Sequence, residues 1–177
     1  MIKTVLVATD GSNHAKKAVA LAIDIAQKYK ARLVIVHSLL RDANCETLRK
    51  LVTRKDLTKE QRHLLDNYEI DMQMTLAGSG MEGPMVALPA PKEVLEFVTQ
   101  QVLDRSKALA AKSKVKDVKT RVIGVDPAEG ILVAARKDRA NLIVMGTRGF
   151  GELKGWIVGS VSHKIAAEAH CPVLTVK

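Results

Sequence analysis

The chain has 177 residues, a formal net charge of +9 and 47% hydrophobic residues, which is enough for one good core and short for two. No run approaches the roughly 20 consecutive apolar residues needed to cross a bilayer, and 3% aromatic residues are too few for a base-stacking platform. The positive charges are also interleaved with acids, as between Arg41 and Asp66, where Asp42, Glu46, Asp56, Glu60 and Asp66 alternate with Arg and Lys; that pattern describes a solvated surface, and nucleic-acid binding is not expected.

Met1-Ile2-Lys3 leads straight into the apolar run Val5-Leu6-Val7-Ala8, the mark of a strand buried on both faces. No signal-peptide pattern precedes it. The run ends in Thr9-Asp10-Gly11-Ser12-Asn13, a turn rich in helix-capping residues. A helix to about Tyr29 should follow, with Ala15, Ala18, Ala22 and Ile25 on one face. Leu33-Val34-Ile35-Val36-His37 reads as the second buried strand.

Residues 39 to 91 read as a long insertion in a single domain covering 1–177. Its first half, near Glu46 to Tyr68, has helical character. Its second half holds Gly78-Ser79-Gly80, Gly83-Pro84 and Pro89-Ala90-Pro91, a density that argues for a loop. Met72, Met74, Met81 and Met85 there are either gap-filling core residues or a soft binding surface.

Regular order returns at Lys92. Val94, Leu95, Val98, Val102 and Leu109 form a helical stripe ending near Lys114, and Val118 to Val125 alternates as a third strand. Asp126-Pro127-Ala128-Glu129 has the residues of an N-cap, a first-position proline and a capping-box partner. Ile131, Leu132 and Ala135 should face inward. Leu142 to Met145 is a fourth strand, Gly159 to Ala169 a last helix, and Pro172 to Val176 a last strand. Five strands alternating with helices imply an α/β protein with a parallel sheet and right-handed crossovers.

The chemistry lies after the fourth strand, in Gly146-Thr147-Arg148-Gly149, nine residues, then Gly159-Ser160. Gly149 and Gly151 permit backbone conformations closed to other residues. Gly159-Ser160 opens a helix, whose free N–H groups and partial positive charge suit a phosphate. Ser160 and Ser162 can add hydroxyl donors, and Arg148 and Lys154 positive charge. The lysine of a P-loop is missing, and Thr9-Asp10-Gly11-Ser12 is no GxGxxG fingerprint. If the first and fourth strands are neighbours, a crevice opens between Ala8-Thr9-Asp10 and Met145-Gly146, where ligands of open α/β sheets bind. Asp10 would then accept from ribose hydroxyls, cap the first helix, or do both.

Ala8-Thr9-Asp10-Gly11-Ser12, the Gly-x-x-Gly-(nine)-Gly-Ser spacing, Gly124-Val125-Asp126-Pro127-Ala128 and Cys171-Pro172-Val173-Leu174-Thr175-Val176 resemble the universal stress protein family over residues 2–38 and about 92–177. The resemblance implies an open five-stranded sheet of order 3-2-1-4-5 with helices on both faces, the adenine nucleotide alpha hydrolase-like fold, and commonly a homodimer. The full glycine spacing marks the family's ATP-binding kind. By the same resemblance Asp10 contacts the ribose, the backbone at His37-Ser38 meets the adenine edge, and Met145 and Gly146 line the base and sugar. Gly149, Gly159, Ser160, Val161 and Ser162 then hold the phosphates of ATP, or of ADP or AMP, with Mg²⁺. Ser38 departs from the pattern, standing where a valine often follows the histidine; a backbone contact survives that change.

A homodimer through residues 172–177 also has a physical basis, since an apolar edge strand invites pairing and Val173, Leu174 and Val176 supply apolar surface. Cys45 and Cys171 have no CxxC or metal spacing, which suits a reducing, cytoplasmic setting. No nucleophile–base pair can be argued for His14, His37, His63, His163 or His170. His163 follows the phosphate loop, as a surface residue or near a phosphate. The expected function is an ATP-binding stress-response sensor. The alternatives are slow ATP hydrolysis, which aligned phosphates and Mg²⁺ alone allow, and a chaperone-like protein using the Met-rich insertion toward an unknown protein partner.

Overall fold

The computed structural model describes residues 1–39, 45–53, 55, 57–78, 90–124, 126–150 and 159–177. The sequence readings that rest on Ser79–Pro89, Val125, Gly151 and Lys154 lie outside them. The described chain gathers into two compact units, Met1–Leu39 with Val102–Lys177, and Leu40–Gln101.

The first unit holds a five-stranded sheet. Its strands are β1 (Thr4–Thr9), β2 (Arg32–Ser38), β3 (Val118–Ile123), β4 (Leu142–Gly146) and β5 (Val173–Val176), in the order β3-β2-β1-β4-β5. Every pairing is parallel, with Thr9 opposite His37 and Ala8 opposite Met145 at the carboxyl ends. The order 3-2-1-4-5 inferred by resemblance is therefore the one observed. All six residues of β1 are buried, as a central parallel strand covered on both faces requires.

Helix α1 (Asn13–Tyr29) buries Ala15, Ala18, Val19, Ala22, Ile23 and Ala26. With Leu103, Ala110 and Val115, all of these but Ala15 cover the sheet face formed by Val5, Val7, Leu33, Ile35 and Val144. Ile25 lies only partly buried against this cluster. The opposite face, with Leu6, Ala8, Val34, Val36, Ile143 and Met145, packs on residues of α5 (Pro127–Lys137) and on Ile165 of α6 (Ser160–Glu168). Pleat alternation divides the strand residues cleanly between the two clusters.

Beyond α5, Asp138 is buried and receives hydrogen bonds from Lys119 Nζ (2.9 Å) and Arg121 Nη2 (2.9 Å). These bonds, that from Arg121 first, hold its carboxyl down to about 2. The pair fastens edge strand β3 to the end of α5. Cys171 is half-buried against the second cluster, where burial pushes its thiol above the usual range.

The second unit contains α2 (Cys45–Leu51), α3 (Lys59–Gly78) and the start of α4 (Lys92–Lys112), which continues into the first unit. Leu48, Leu51, Leu65, Tyr68 and Met72 are buried, and Arg49 pairs with Glu69 at 2.8 Å. Helix α3 begins with a reciprocal cap, Thr58 N–H to Gln61 Oε1 (3.0 Å) and Gln61 N–H to Thr58 Oγ1 (3.2 Å). It runs well past Tyr68, into the part expected to be a loop. The physical reason is that no Gly or Pro interrupts residues 57–77. Met72 fills the interior while Met74 is exposed. On α4, Leu109 proves exposed, and the buried stripe runs through Val94, Val98, Val102, Ser106 and Ala110, the i, i+4 row of one helix face.

Candidate functional site

The strand order reverses between β1 and β4. The chain leaves β1 toward β2 and β3 on one side, and β4 toward β5 on the other. In such sheets the loops after the two central strands diverge and leave a crevice at their carboxyl ends. Three segments described here meet there: residues 9–15, residues 146–149 and the start of α6.

The loop after β1 is tightly self-bonded. Thr9 Oγ1 accepts from Gly11 N–H (3.2 Å), Asp10 Oδ1 from Ser12 N–H (2.9 Å) and Ser12 Oγ from Ala15 N–H (3.3 Å). Gly11 has φ 87°, a left-handed conformation that favours glycine. Ser12, not Asp10, is the N-cap of α1. Asp10 Oδ2 instead lies against Gly149, where a Cβ on Gly149 would collide with it. The Asp10 carboxylate thus faces the glycine loop across the strand reversal.

Gly146 is equally constrained. A Cβ there would come within 2.9 Å of His14 Cβ and 3.0 Å of Ala15 N, so β4 ends in direct contact with the first turn of α1. Thr147, buried, is the junction of this region. Its N–H donates to Val176 O (2.8 Å), and its carbonyl accepts from Gly159 N–H (2.8 Å) and Ser162 Oγ (2.9 Å). The start of α6 and the end of β5 therefore hang on one residue.

Helix α6 begins without a side-chain cap: Gly159 occupies the N-cap and makes no such bond, and no acid lies in the first turn. His163 N–H closes the first helical bond to Gly159 O (2.9 Å). Among the described residues, no backbone hydrogen bond is donated by the N–H groups of Ser160, Val161 or Ser162. Helix α1 also lacks a first-turn acid, whereas α2, α3, α4 and α5 carry Glu46, Glu60, Glu93 and Glu129. Helix α1 is capped by Ser12 Oγ, so α6 is the crevice helix whose start carries neither a side-chain cap nor an acid, and an anion is what such an end attracts.

Side chains at the crevice divide into two groups. Ala8 and Met145 are buried in the second core cluster and Val161 packs partly buried against it, so each presents only backbone. Ser162 is buried, with its hydroxyl donating to Thr147 O and Gly159 O, both at 2.9 Å; its N–H, not its hydroxyl, is the group turned to the helix entrance. Ser160, Arg148 and His163 are exposed and Ser38 half-buried. His37 is fully buried, with Nδ1 2.9 Å from Thr9 O. Burial lowers its pKa, against smaller upward pulls from the Thr9 carbonyl and Asp10. Sequence reasoning missed the Thr147 junction, whose bonds to Gly159, Ser162 and Val176 join residues far apart in the chain.

The fold is that of a doubly wound α/β protein with a crevice at the strand reversal. The model of the universal stress protein family matches residues 1–177, and the chain belongs to that family. It is 33% identical, over the whole of both chains, to a universal stress protein of Thermus aquaticus encoded in the QAH/OAS sulfhydrylase 3′ region. Among solved structures it resembles a universal stress protein in complex with cAMP (TM-score 0.59, 23% identity, 99% of this chain and 97% of that one). It also resembles the universal stress protein from Archaeoglobus fulgidus in complex with dAMP (TM-score 0.58, 17% identity, all of both chains).

Proposed function

We propose that the chain binds an adenine nucleotide in the crevice between β1 and β4 and acts in stress response as a nucleotide-dependent sensor. The observation that carries this reading is the bare start of α6 beside Gly149 and Asp10: glycine at the cap, no first-turn acid, and a carboxylate across the loop. That combination suits phosphates on the helix and ribose hydroxyls on Asp10. Adenine then lies along the backbone at His37-Ser38, and Met145 and Gly146 flank it with main-chain atoms. The cAMP and dAMP complexes of the two structural neighbours support the adenine nucleotide as the class of ligand. ATP is the proposed member, with Mg²⁺ carried on its phosphates.

A dimer through residues 172–177 completes the proposal. Strand β5 lies at the sheet edge with Leu174 exposed, while Val173 and Val176 already pack partly buried against the subunit's own core. Thr147 ties that strand to the start of α6, so a ligand that shifts α6 acts directly on the pairing edge. No helix among the described residues is long and apolar enough to cross a membrane, and the cytoplasm is the proposed setting.

The experiment is to denature freshly purified protein, identify any released nucleotide, and titrate the stripped protein with Mg-ATP and with Mg-tripolyphosphate. The reading expects saturable binding of both, with ATP favoured. Replacing Asp10 with Ala should weaken ATP about tenfold, the loss of one or two hydrogen bonds to a charged acceptor, and leave tripolyphosphate unchanged. Absence of binding to either compound would defeat the proposal.

A further inference from the structure

His37 is completely buried, and its Nε2 has no hydrogen-bond partner among the described residues. Its other nitrogen, Nδ1, lies 2.9 Å from the carbonyl of Thr9. A carbonyl oxygen only accepts, so Nδ1 carries the proton and Nε2 is a bare lone pair in the interior. An orphaned buried polar atom costs about 1–3 kcal/mol, which an aliphatic residue at this place would avoid. The neighbouring inward residues of β2, Leu33 and Ile35, are of that aliphatic kind. What the imidazole alone supplies is the bond to Thr9.

That bond falls at a specific place. Thr9 is the last residue of β1, and its carbonyl belongs to the peptide unit that ends in the Asp10 nitrogen. Because the unit is planar, holding its oxygen fixes the plane from which Asp10 departs. The next bonds continue the same chain of constraint, with Gly11 N–H on Thr9 Oγ1 and Ser12 N–H on Asp10 Oδ1. At its end Asp10 Oδ2 rests against Gly149. Among the described residues, no other β2 side chain hydrogen-bonds to this loop.

We infer that the His37 side chain is a positioning residue for the crevice: by donating from Nδ1 to the Thr9 carbonyl it sets the direction in which the Asp10 carboxylate points across the strand reversal. This role is separate from the backbone contact to adenine at His37-Ser38, and it rests on the reading of Asp10 as the ribose contact.

The test compares the wild type with His37→Asn and His37→Leu. The carboxamide nitrogen of Asn can take the place of Nδ1 and keep the donor, whereas Leu fills the space without one. His37→Leu should weaken Mg-ATP about tenfold, leave Mg-tripolyphosphate unchanged, and speed hydrogen exchange at the Gly11 and Ser12 amides. His37→Asn should restore both ATP affinity and exchange protection. Unchanged ATP affinity in His37→Leu, or failure of a folded His37→Asn to restore it, would overturn the inference. If the wild type binds neither compound, the proposed function fails by itself. The exchange rates then decide the positioning role, and equal rates in all three proteins reject it. Should His37→Leu not fold, nitrogen NMR of the wild-type imidazole still decides, because a proton on Nε2 in place of Nδ1 contradicts the geometry.

Discussion

Helices α5 and α6 start on the same side of the sheet, and their first turns are opposites. Asp126 caps α5 by accepting from Glu129 N–H at 2.9 Å, Pro127 removes one unpaired donor, and Glu129 adds negative charge to the first turn. Helix α6 has glycine at the cap, no side-chain bond and no acid. The first helix satisfies its own positive end. The second has neither a capping side chain nor a first-turn acid among the described residues. The occurrence of such a start at the strand reversal, and not at α5, is what supports the proposed binding site in the crevice.

One substitution would give α6 the acidic first turn of α5. Ser160 is exposed in the first turn of α6, so Ser160→Asp places a carboxylate where α5 carries its own. The helix should gain about 0.3–1 kcal/mol in stability. Mg-ATP affinity should fall roughly a hundredfold, because like charges brought together at a binding site cost several kcal/mol. Calorimetric titration together with thermal melting separates the two effects. A variant that is more stable yet binds ATP as well as the wild type would show that the phosphates lie elsewhere.

The reverse change sharpens the contrast. Asp126→Ala strips α5 of its cap and should lower stability by about 1 kcal/mol, measured by urea unfolding, with ATP affinity unaltered. Asp126 also stands 3.8 Å from Lys164 Nζ on α6. Both groups are about half exposed, and such a pair contributes little. A clear loss of ATP binding in this variant would mean that α5 and α6 act together, contrary to the division drawn here.

How far the sequence announces these features depends on the range of the interaction. The cap of α5 is local: Asp126, Pro127 and Glu129 are adjacent, and the reading from sequence matches the bond observed. The strand runs were equally legible, because Val5 to Ala8 and Leu142 to Met145 are apolar without interruption. Helix α3 extends further than the Gly- and Pro-rich second half of its segment suggests: its start is signalled by Thr58 and Gln61 three residues apart, and no Gly or Pro interrupts it before Gly78. At the crevice, that Asp10 faces the glycine loop follows from the adjacency of β1 and β4, whereas its particular approach to Gly149 does not. The commitment of the Ser162 hydroxyl to Thr147, and of His37 Nδ1 to Thr9, joins residues 15 and 28 positions apart. No local pattern encodes contacts of that range; they exist only once the strands are in register.

The smallest effect expected concerns protons, and it repeats the contrast between satisfied and unsatisfied groups. At the end of α5, Asp138 is fully engaged by Arg121 and Lys119 and its carboxyl is held at about 2. Its contribution to stability is present above about pH 3.8 and is lost only as pH falls through 2. At the crevice, burial depresses the pKa of His37, because a protonated ring would carry a second N–H with no acceptor. An unfolded histidine takes up its proton near pH 6.5, so the unfolded state binds more protons below that value. The His37 contribution is therefore complete above about pH 6.5 and declines as pH falls toward the depressed folded value. Between pH 7.5 and 5 the wild type should lose thermal stability that His37→Asn retains, since the other four histidines are common to both proteins. Asp138→Asn should leave the slope in that interval unchanged. Parallel melting curves for wild type and His37→Asn across this range would show that the buried imidazole is protonated as readily as a free one, and that its second nitrogen has an acceptor in the folded protein.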